Sequence, residues 1–225
     1  APRVRRRERV EHLVDDAHEV RELHPAVLER RREVGAVEQL HREVHLARRV
    51  VDARVEDPHD PRVVDRRGRL RLARDSATWF WHVALRNGNA QALTVDVIHS
   101  QDLGLADDNF IRTSEYFASQ YLDHTPLFDA AHGRVIATRQ NLAMGGRHPW
   151  CLIASLHRAV SYSTDALQFH GTATRAGAEA VALVDGLAGM RLQHEHALVC
   201  LQDAPLTLAP GMSAQRGFVG CFAAD

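Results

Sequence analysis

From residue 77 onward, short aromatic or β-branched runs alternate with turn residues, and this pattern restricts the fold more than any other feature. Ala77–Leu85 carries two tryptophans and a phenylalanine, and the turn residues Asn87, Gly88 and Asn89 follow it. Leu93–His99 alternates between apolar and polar residues, which predicts that it pairs back on the first run as a hairpin. Many short strands with little helix predict a mainly β fold of the antiparallel sandwich type.

Later segments show the same strand pattern of apolar and polar alternation. Gly145, Gly146 and Pro149 predict a loop between two of them. The Ala-rich residues Ala176–Leu187 predict a short helix or a loop crossing. The predicted strands are Arg134–Gln140, Trp150–Ser155, Ala159–Ser163, Arg191–Leu201 and Arg216–Phe222.

The composition changes near residue 70, because residues 1–75 use only ten amino-acid types and every Phe, Trp and Tyr residue follows them. Each of the ten types has codons that begin with G or C. In a GC-rich gene, a shifted or antisense reading frame would yield about this alphabet. We therefore divide the chain into residues 1–70 and a β-sandwich fragment at 71–225, and we hypothesise that the first segment is an off-frame translation.

A genuine charged extension is the competing interpretation of residues 1–70. Apolar residues from Val37 to Val51 roughly follow helical spacing, with Arg and Glu on the other faces. Pro25, Pro58 and Pro61 would break or end a helix. Because the segment has no Phe, Trp or Tyr to build a core, it is predicted to be helical or disordered.

Charge and cysteine content exclude several classes of function. The formal net charge of −1 gives no overall attraction to nucleic acid or anionic lipid. The sequence contains neither an apolar run of membrane-spanning length nor the apolar segment of a secretory signal. Cys151, Cys200 and Cys221 lack metal-ligand spacing, which favours free thiols in a reducing compartment. The sequence therefore predicts a cytoplasmic protein that binds neither nucleic acid nor membrane.

Ser114–Pro126 is the stretch with the most suggestive chemistry, and we interpret it as a strand. It places Tyr116, Phe117 and Tyr121 among carboxylates, an amide and an imidazole. Aromatic rings stack on the C–H faces of sugars, while acids and amides hydrogen-bond to sugar hydroxyls. A half-buried aromatic face with an ordinary polar edge is the alternative.

Motifs for catalysis and metal binding are weak. The sequence has no Gly-x-Ser-x-Gly elbow and no phosphate loop with a lysine. His194 and His196 would lie on one side of a strand and could ligate a metal in a metal-dependent enzyme, but no third ligand is evident. We therefore predict no metal and no cofactor. Four carboxylates could in principle supply a glycosidase acid and base, but the sequence alone does not place two of them at the required separation: Asp96, Asp102, Glu115 and Asp123.

Seven blocks stand in a recognisable order at Thr78–Val83, Thr94–Leu103, Ser114–Leu127, Arg139–Asn141, Gly146–Trp150, Thr164–Gly171 and Leu192–Leu198. Together they resemble the N-terminal part of family 94 glycoside phosphorylases, especially the branch of the 1,2-β-oligoglucan phosphorylases and cyclic β-1,2-glucan synthases. The resemblance covers about residues 70–225 and is more specific than any single block.

The resemblance implies a partial galactose-mutarotase-like super-sandwich that precedes a catalytic helical barrel. In that family the barrel carries the general-acid aspartate and the phosphate site, and no barrel follows Asp225. We therefore expect the chain alone to be inactive, with no catalytic residue of its own. Its expected partners are the barrel and a β-glucan oligosaccharide.

We predict a non-catalytic module that contacts glucan and supports the barrel. The alternative is an independent structural or interaction protein without sugar binding. The candidate sugar contacts offer hydrogen-bonding groups or flat faces: Tyr116, Gln120, Tyr121, Asp123, His124, Arg139, Asn141 and Trp150.

Overall fold

A computed structural model describes residues 49–55, 64–192 and 196–225, and strands occupy about half of the chain. The prediction of a mainly β fold is confirmed. The strands are β1 (Arg49–Val55), β2 (Val64–Leu72), β3 (Thr78–Asn87), β4 (Leu93–Gln101), β5 (Leu122–Asp129), β6 (Gly133–Gln140), β7 (Trp150–Ser155), β8 (Ala159–Asp165), β9 (Ala197–Asp203), β10 (Leu206–Leu208) and β11 (Ser213–Ala223). The helices are α1 (Asp108–Gln120), α2 (Ala166–His170) and α3 (Val181–Asp185), with a 3-10 helix at Thr172–Ala176.

These strands form one sheet in the order β1-β4-β9-β8-β6-β7-β11-β3-β2, with β10 paired to β4 and β5 paired to β6 outside that path. The pairings are antiparallel except between β6 and β8, which meet in parallel at Gly133 and Ala159. A Cβ on Gly133 would lie 2.1 Å from the Ala159 carbonyl oxygen, so this close approach requires glycine. The sheet is therefore mixed, and its two halves join through a narrow contact.

The sheet folds back on itself into two layers. His99 on β4 stacks on Phe218 of β11 with 4.8 Å between ring centroids, although four strands separate β4 from β11 in the sheet order. In a flat sheet that separation would exceed about 20 Å. The Trp79 indole on β3 also donates a hydrogen bond of 3.2 Å to the Gln101 side chain on β4. The predicted sandwich is thus present, made from one continuous sheet.

The main core lies between the two layers, and a second apolar layer covers β4 and β9 from outside. On β4, Val95 and Val97 face the main core, whereas Ile98 joins Phe169 of α2 and Ala182 of α3. Burial on both faces explains why β9 is apolar without alternation from Ala197 to Leu201, whereas β4 keeps polar residues beside Ile98 on its outer face. The three cysteines are free thiols, as predicted.

The predicted hairpin between Ala77–Leu85 and Leu93–His99 is wrong. β3 pairs with β2 and β11, and β4 pairs with β1, β9 and β10. The Asn87 side chain donates hydrogen bonds of 2.8 Å to the carbonyls of Gln91 and Leu208. The turn therefore carries the chain from one layer to the other instead of joining adjacent strands.

Glu115–Gln120 is helical, so the prediction of a strand across the whole of Ser114–Pro126 is wrong for its first half. Phe110, Phe117 and Tyr121 are spaced seven and four residues apart, which is helical spacing, and neighbouring rings lie 5.8 and 5.0 Å apart. Ser114 has extended backbone angles and its hydroxyl accepts from the Phe117 amide at 3.2 Å. It therefore caps a second helical piece that begins at Glu115.

The parts of the charged segment that the structure describes belong to the sheet. Val50 and Val51 lie on β1, where the helical prediction is wrong, and β2 runs through residue 70 without a break. Residues 52–55 and 64–70 also lie in these strands, so the prediction of helix or disorder is wrong there too, and the rest of the charged segment lies outside the described residues. In the described ranges, no helix has the length and apolar character needed to cross a membrane. The domain boundary and the off-frame origin stay predictions.

The later strand predictions agree with β6, β7, β8 and β11, and α3 lies within the predicted Ala-rich helix or loop. The strand predicted over Arg191–Leu201 begins only at Ala197. Of the histidine pair in that run, His194 lies outside the described residues, and His196 immediately precedes β9.

Candidate functional site

Three of the predicted sugar contacts form a row across three adjacent strands. Asp123 on β5 pairs with Arg139 on β6, which in turn pairs with Trp150 on β7. Side chains directly opposite on neighbouring strands share a face, with about 5 Å between their Cβ atoms. We call Asp123, Arg139 and Trp150 the cross-strand row. Arg139 is exposed and the other two are half-buried, so the row reaches solvent.

Trp150 is half-buried and has small or turn-forming neighbours on β11 and in the connection from β6. On the far side of Trp150 the paired residue is Ala223 of β11, whose side chain is only a methyl group. The connection from β6 to β7 turns through Gly145 and Gly146, both with positive φ, while the Met144 amide donates to the Arg147 carbonyl at 2.8 Å. The connection therefore makes a tight turn at Met144–Arg147, and the β6–β7 ladder holds Trp150 beside Arg139.

Arg191 completes the row from a distant part of the chain. Its guanidinium donates one hydrogen bond to the Asp123 carboxylate and another to the backbone carbonyl of His124. Both side chains of the ion pair are about half exposed, so the pair contributes well under about 1 kcal/mol to stability and mainly orients the carboxylate. Sequence reasoning missed Arg191, because no local pattern links residues so far apart.

Four further candidates lie beside the row. The Asn141 amide donates to the Tyr121 carbonyl at 2.9 Å, so these two residues extend the β5–β6 pairing by one position. Tyr116 and Gln120 are one helical turn apart on α1, and both are exposed. The structure therefore places aromatic, amide, carboxylate and guanidinium groups around one end of β5.

His124 is on the opposite face of β5, where it is 1% exposed and cannot reach a ligand on the row. Its Nδ1 lies 2.8 Å from the Thr138 hydroxyl, while its Nε2 is buried without a hydrogen bond within the described residues. Burial lowers the pKa of His124 to about 4, against the opposing charge of Asp123. The imidazole is therefore neutral at pH 7 and does not belong to the cross-strand row.

Gln140 anchors the elements around the row and was not among the predicted site residues. It is fully buried and its amide donates to the carbonyls of Gly104 and Ala118 at 3.2 and 3.1 Å. Its Oε1 accepts from the Leu142 amide at 3.0 Å. These bonds tie the end of α1 and the preceding loop to β6. The only sequence signal was its place between the candidates Arg139 and Asn141.

The four candidate carboxylates do not share one site. Asp96 is buried on β4 and accepts from the Gln202 side chain, and Asp123 pairs with Arg191. Asp102 and Glu115 come together with His196, since one potential ligand atom from each lies within 4.8 Å of the others. Sequence reasoning missed this grouping, because it paired His196 with His194 instead.

Residues 52–220 match the family model described as the SOGP N-terminal domain. The chain belongs to this family. The match begins inside the charged segment and covers most of the chain, including the cross-strand row, Arg191 and Gln140. It therefore extends the recognisable region beyond residues 70–225, on which the sequence resemblance was based.

The 1,2-beta-oligoglucan phosphorylase of Listeria innocua serovar 6a (strain ATCC BAA-680 / CLIP 11262) is similar to this chain, with 34% identity over 130 residues. The similar stretch makes up 57% of this chain but only 12% of that protein. The chain thus spans a small part of its relative's length. A related N-terminal region is confirmed by the two comparisons together.

Proposed function

We propose that this domain belongs to a phosphorylase-like protein that acts on β-glucans, and that its cross-strand row contacts the glucan. The assignment to family 94 and to the 1,2-β-glucan branch is part of the proposal. So are the scaffold role and the catalytic helical barrel as partner. The similarity to a 1,2-beta-oligoglucan phosphorylase supports the choice of ligand class.

The juxtaposition of Asp123, Arg139 and Trp150 on one accessible face carries the proposal. An indole beside Ala223 offers a flat apolar surface for the C–H face of a sugar ring. The carboxylate and the guanidinium next to it accept and donate hydrogen bonds to hydroxyl groups. Arg191 restrains the carboxylate, which reduces the entropy lost on binding.

Calorimetric titration of the full chain with β-1,2-linked oligoglucans tests this proposal. We expect saturable heat, and we expect Trp150→Ala to lower the affinity about tenfold or more, because a stacked ring contributes on the order of 1.4 kcal/mol. Arg139→Ala should weaken binding as well, since it removes the central member of the row.

Phe128→Ala is the matched aromatic control. Phe128 is 63% exposed and lies on the face of β5 opposite to Asp123, so its loss should leave glucan affinity unchanged. No heat with the folded wild-type chain would overturn glucan binding and favour the alternative of a structural or interaction protein. Equal losses in the Trp150 and Phe128 variants would overturn the assignment to the cross-strand row.

A further inference from the structure

We propose that Asp102, Glu115 and His196 bind one divalent transition-metal ion of the Zn²⁺ type. Each side chain offers one donor atom, and the three donors lie within 4.8 Å of one another. His196 Nε2 is 3.8 Å from an Asp102 carboxylate oxygen. All three side chains are partly or fully accessible, so an ion can enter from solvent.

The donor set decides the class of ion. One imidazole with two carboxylates suits Zn²⁺, Co²⁺ or Mn²⁺, whereas Mg²⁺ and Ca²⁺ prefer oxygen ligands alone. The two carboxylates balance the charge of a divalent cation when the imidazole is neutral. Three protein ligands leave a fourth position for water, which is typical of open rather than structural zinc sites.

The distances require only small side-chain movements. Ligands held at about 2.0–2.2 Å around a tetrahedral ion lie about 3.4 Å apart. The present separations of up to 4.8 Å therefore have to close by about 1.4 Å at most. Glu115 is exposed and has a long side chain, so it can make most of this adjustment by rotation.

The backbone positions of the ligands are held by the sheet. Asp102 directly follows β4 and His196 directly precedes β9. Gln101 pairs with Val199 in the antiparallel β4–β9 ladder, so the end of β4 and the beginning of β9 lie at the same edge. The His196 carbonyl also accepts from the Ala166 amide at 2.9 Å.

Helix α1 brings the third ligand to this edge. The Ala197 amide, next to His196, donates to the buried hydroxyl of Ser119 at 2.6 Å. Glu115 lies one helical turn before Ser119 and therefore shares its face of α1. The Ser114 cap places Glu115 at the first position of that helical piece. Three separate elements thus converge on one point.

Zinc titration of the full chain after chelator treatment tests the site. We expect one strong equivalent of Zn²⁺ by calorimetry and little response to Mg²⁺. His196→Gln and Glu115→Gln should each lower the affinity of that equivalent about tenfold or more. Weak additional equivalents should occur in every variant, since the chain has 15 histidines.

His170→Gln and Glu179→Gln are the matched controls, because both side chains are exposed and neither belongs to the cluster. They should leave the strong equivalent intact. Co²⁺ supplies an independent readout, since its visible absorption should report imidazole ligation and disappear in the His196 variant. The metal site would be overturned if the strong equivalent persisted in both ligand variants, or if the wild-type chain showed none. The cluster would then be an ordinary surface ion pair. Neither result depends on glucan binding.

Discussion

β5 and β9 differ in where their ionisable side chains lie and in how deeply they are buried. β5 lies beside the main path of the sheet and alternates buried and accessible side chains along its first residues. β9 lies between β4 and β8 and is buried at all seven positions. The accessible Asp123 therefore projects from one face of β5, whereas His196 and Asp203 lie at or next to the two ends of β9, with the buried Cys200 thiol between them.

His124 on β5 and Asp203 on β9 are both buried titratable groups, and they respond to pH in opposite directions. Burial keeps His124 on β5 neutral, with a pKa of about 4. Burial raises the pKa of Asp203 on β9 to about 6, although the Ser155 hydroxyl and the Arg216 guanidinium 3.7 Å away act against it. A buried base and a buried acid thus both resist becoming charged.

The largest effect should come from Gln140, which connects the β5–β6 region to α1 and hence to both proposed sites. Gln140→Ala leaves a cavity and removes hydrogen bonds to two carbonyls, so we expect a loss of about 3 kcal/mol in unfolding free energy. Urea unfolding measures this. The exposed Gln91→Ala is the control and should change stability by less than about 0.5 kcal/mol. A loss below about 1 kcal/mol would show that the two regions are held together by other contacts.

His124 should make the protein less stable in acid. Its folded pKa of about 4 lies below the unfolded value near 6.5, so the unfolded chain binds more protons between these pH values. Between pH 7 and pH 4.5, the wild-type chain should lose about 2 kcal/mol more than His124→Gln. Urea midpoints at both pH values measure the difference, and identical pH profiles would contradict a buried neutral imidazole.

Asp203 should act with the opposite sign over nearly the same range. Its folded pKa of about 6 lies above the ordinary value of 3.8, so the folded chain binds more protons in this window. As pH rises from 4.5 to 7, the wild-type chain should lose about 2 kcal/mol relative to Asp203→Asn. The His124→Gln variant is the comparison. If the difference in unfolding free energy between the wild-type chain and each variant changed with pH in the same direction for both, the contrast between β5 and β9 would be wrong.

The smallest effect concerns the end of β9 near His196. Ser119→Ala removes the acceptor of the Ala197 amide, with an expected cost of about 1–2 kcal/mol in unfolding free energy. The same change should weaken zinc binding several-fold by loosening Glu115 from His196, while glucan affinity stays unchanged. The exposed Ser213→Ala is the control for stability. An unchanged zinc affinity would show that α1 is positioned independently of this bond.

Several elements followed from local patterns alone. β3, β6, β7 and β11 were predicted because alternation and β-branched or aromatic residues act within a single strand. The same alternation indicated that Asp123 and Arg139 are polar positions on strands. The helical spacing of Phe110, Phe117 and Tyr121 was also present, but β propensity of the aromatic residues outweighed it in the interpretation of Ser114–Pro126.

What the chain by itself determined is the identity of most strands and the chemistry of the residues at the end of β5. Only the tertiary structure decided that Asp123, Arg139 and Trp150 stand in one row, that Arg191 joins them, and that His196 meets Asp102 and Glu115. Periodicity is a local property, because it depends on neighbouring backbone angles. Strand order and the folding back of the sheet depend on packing between distant segments, which no local pattern records.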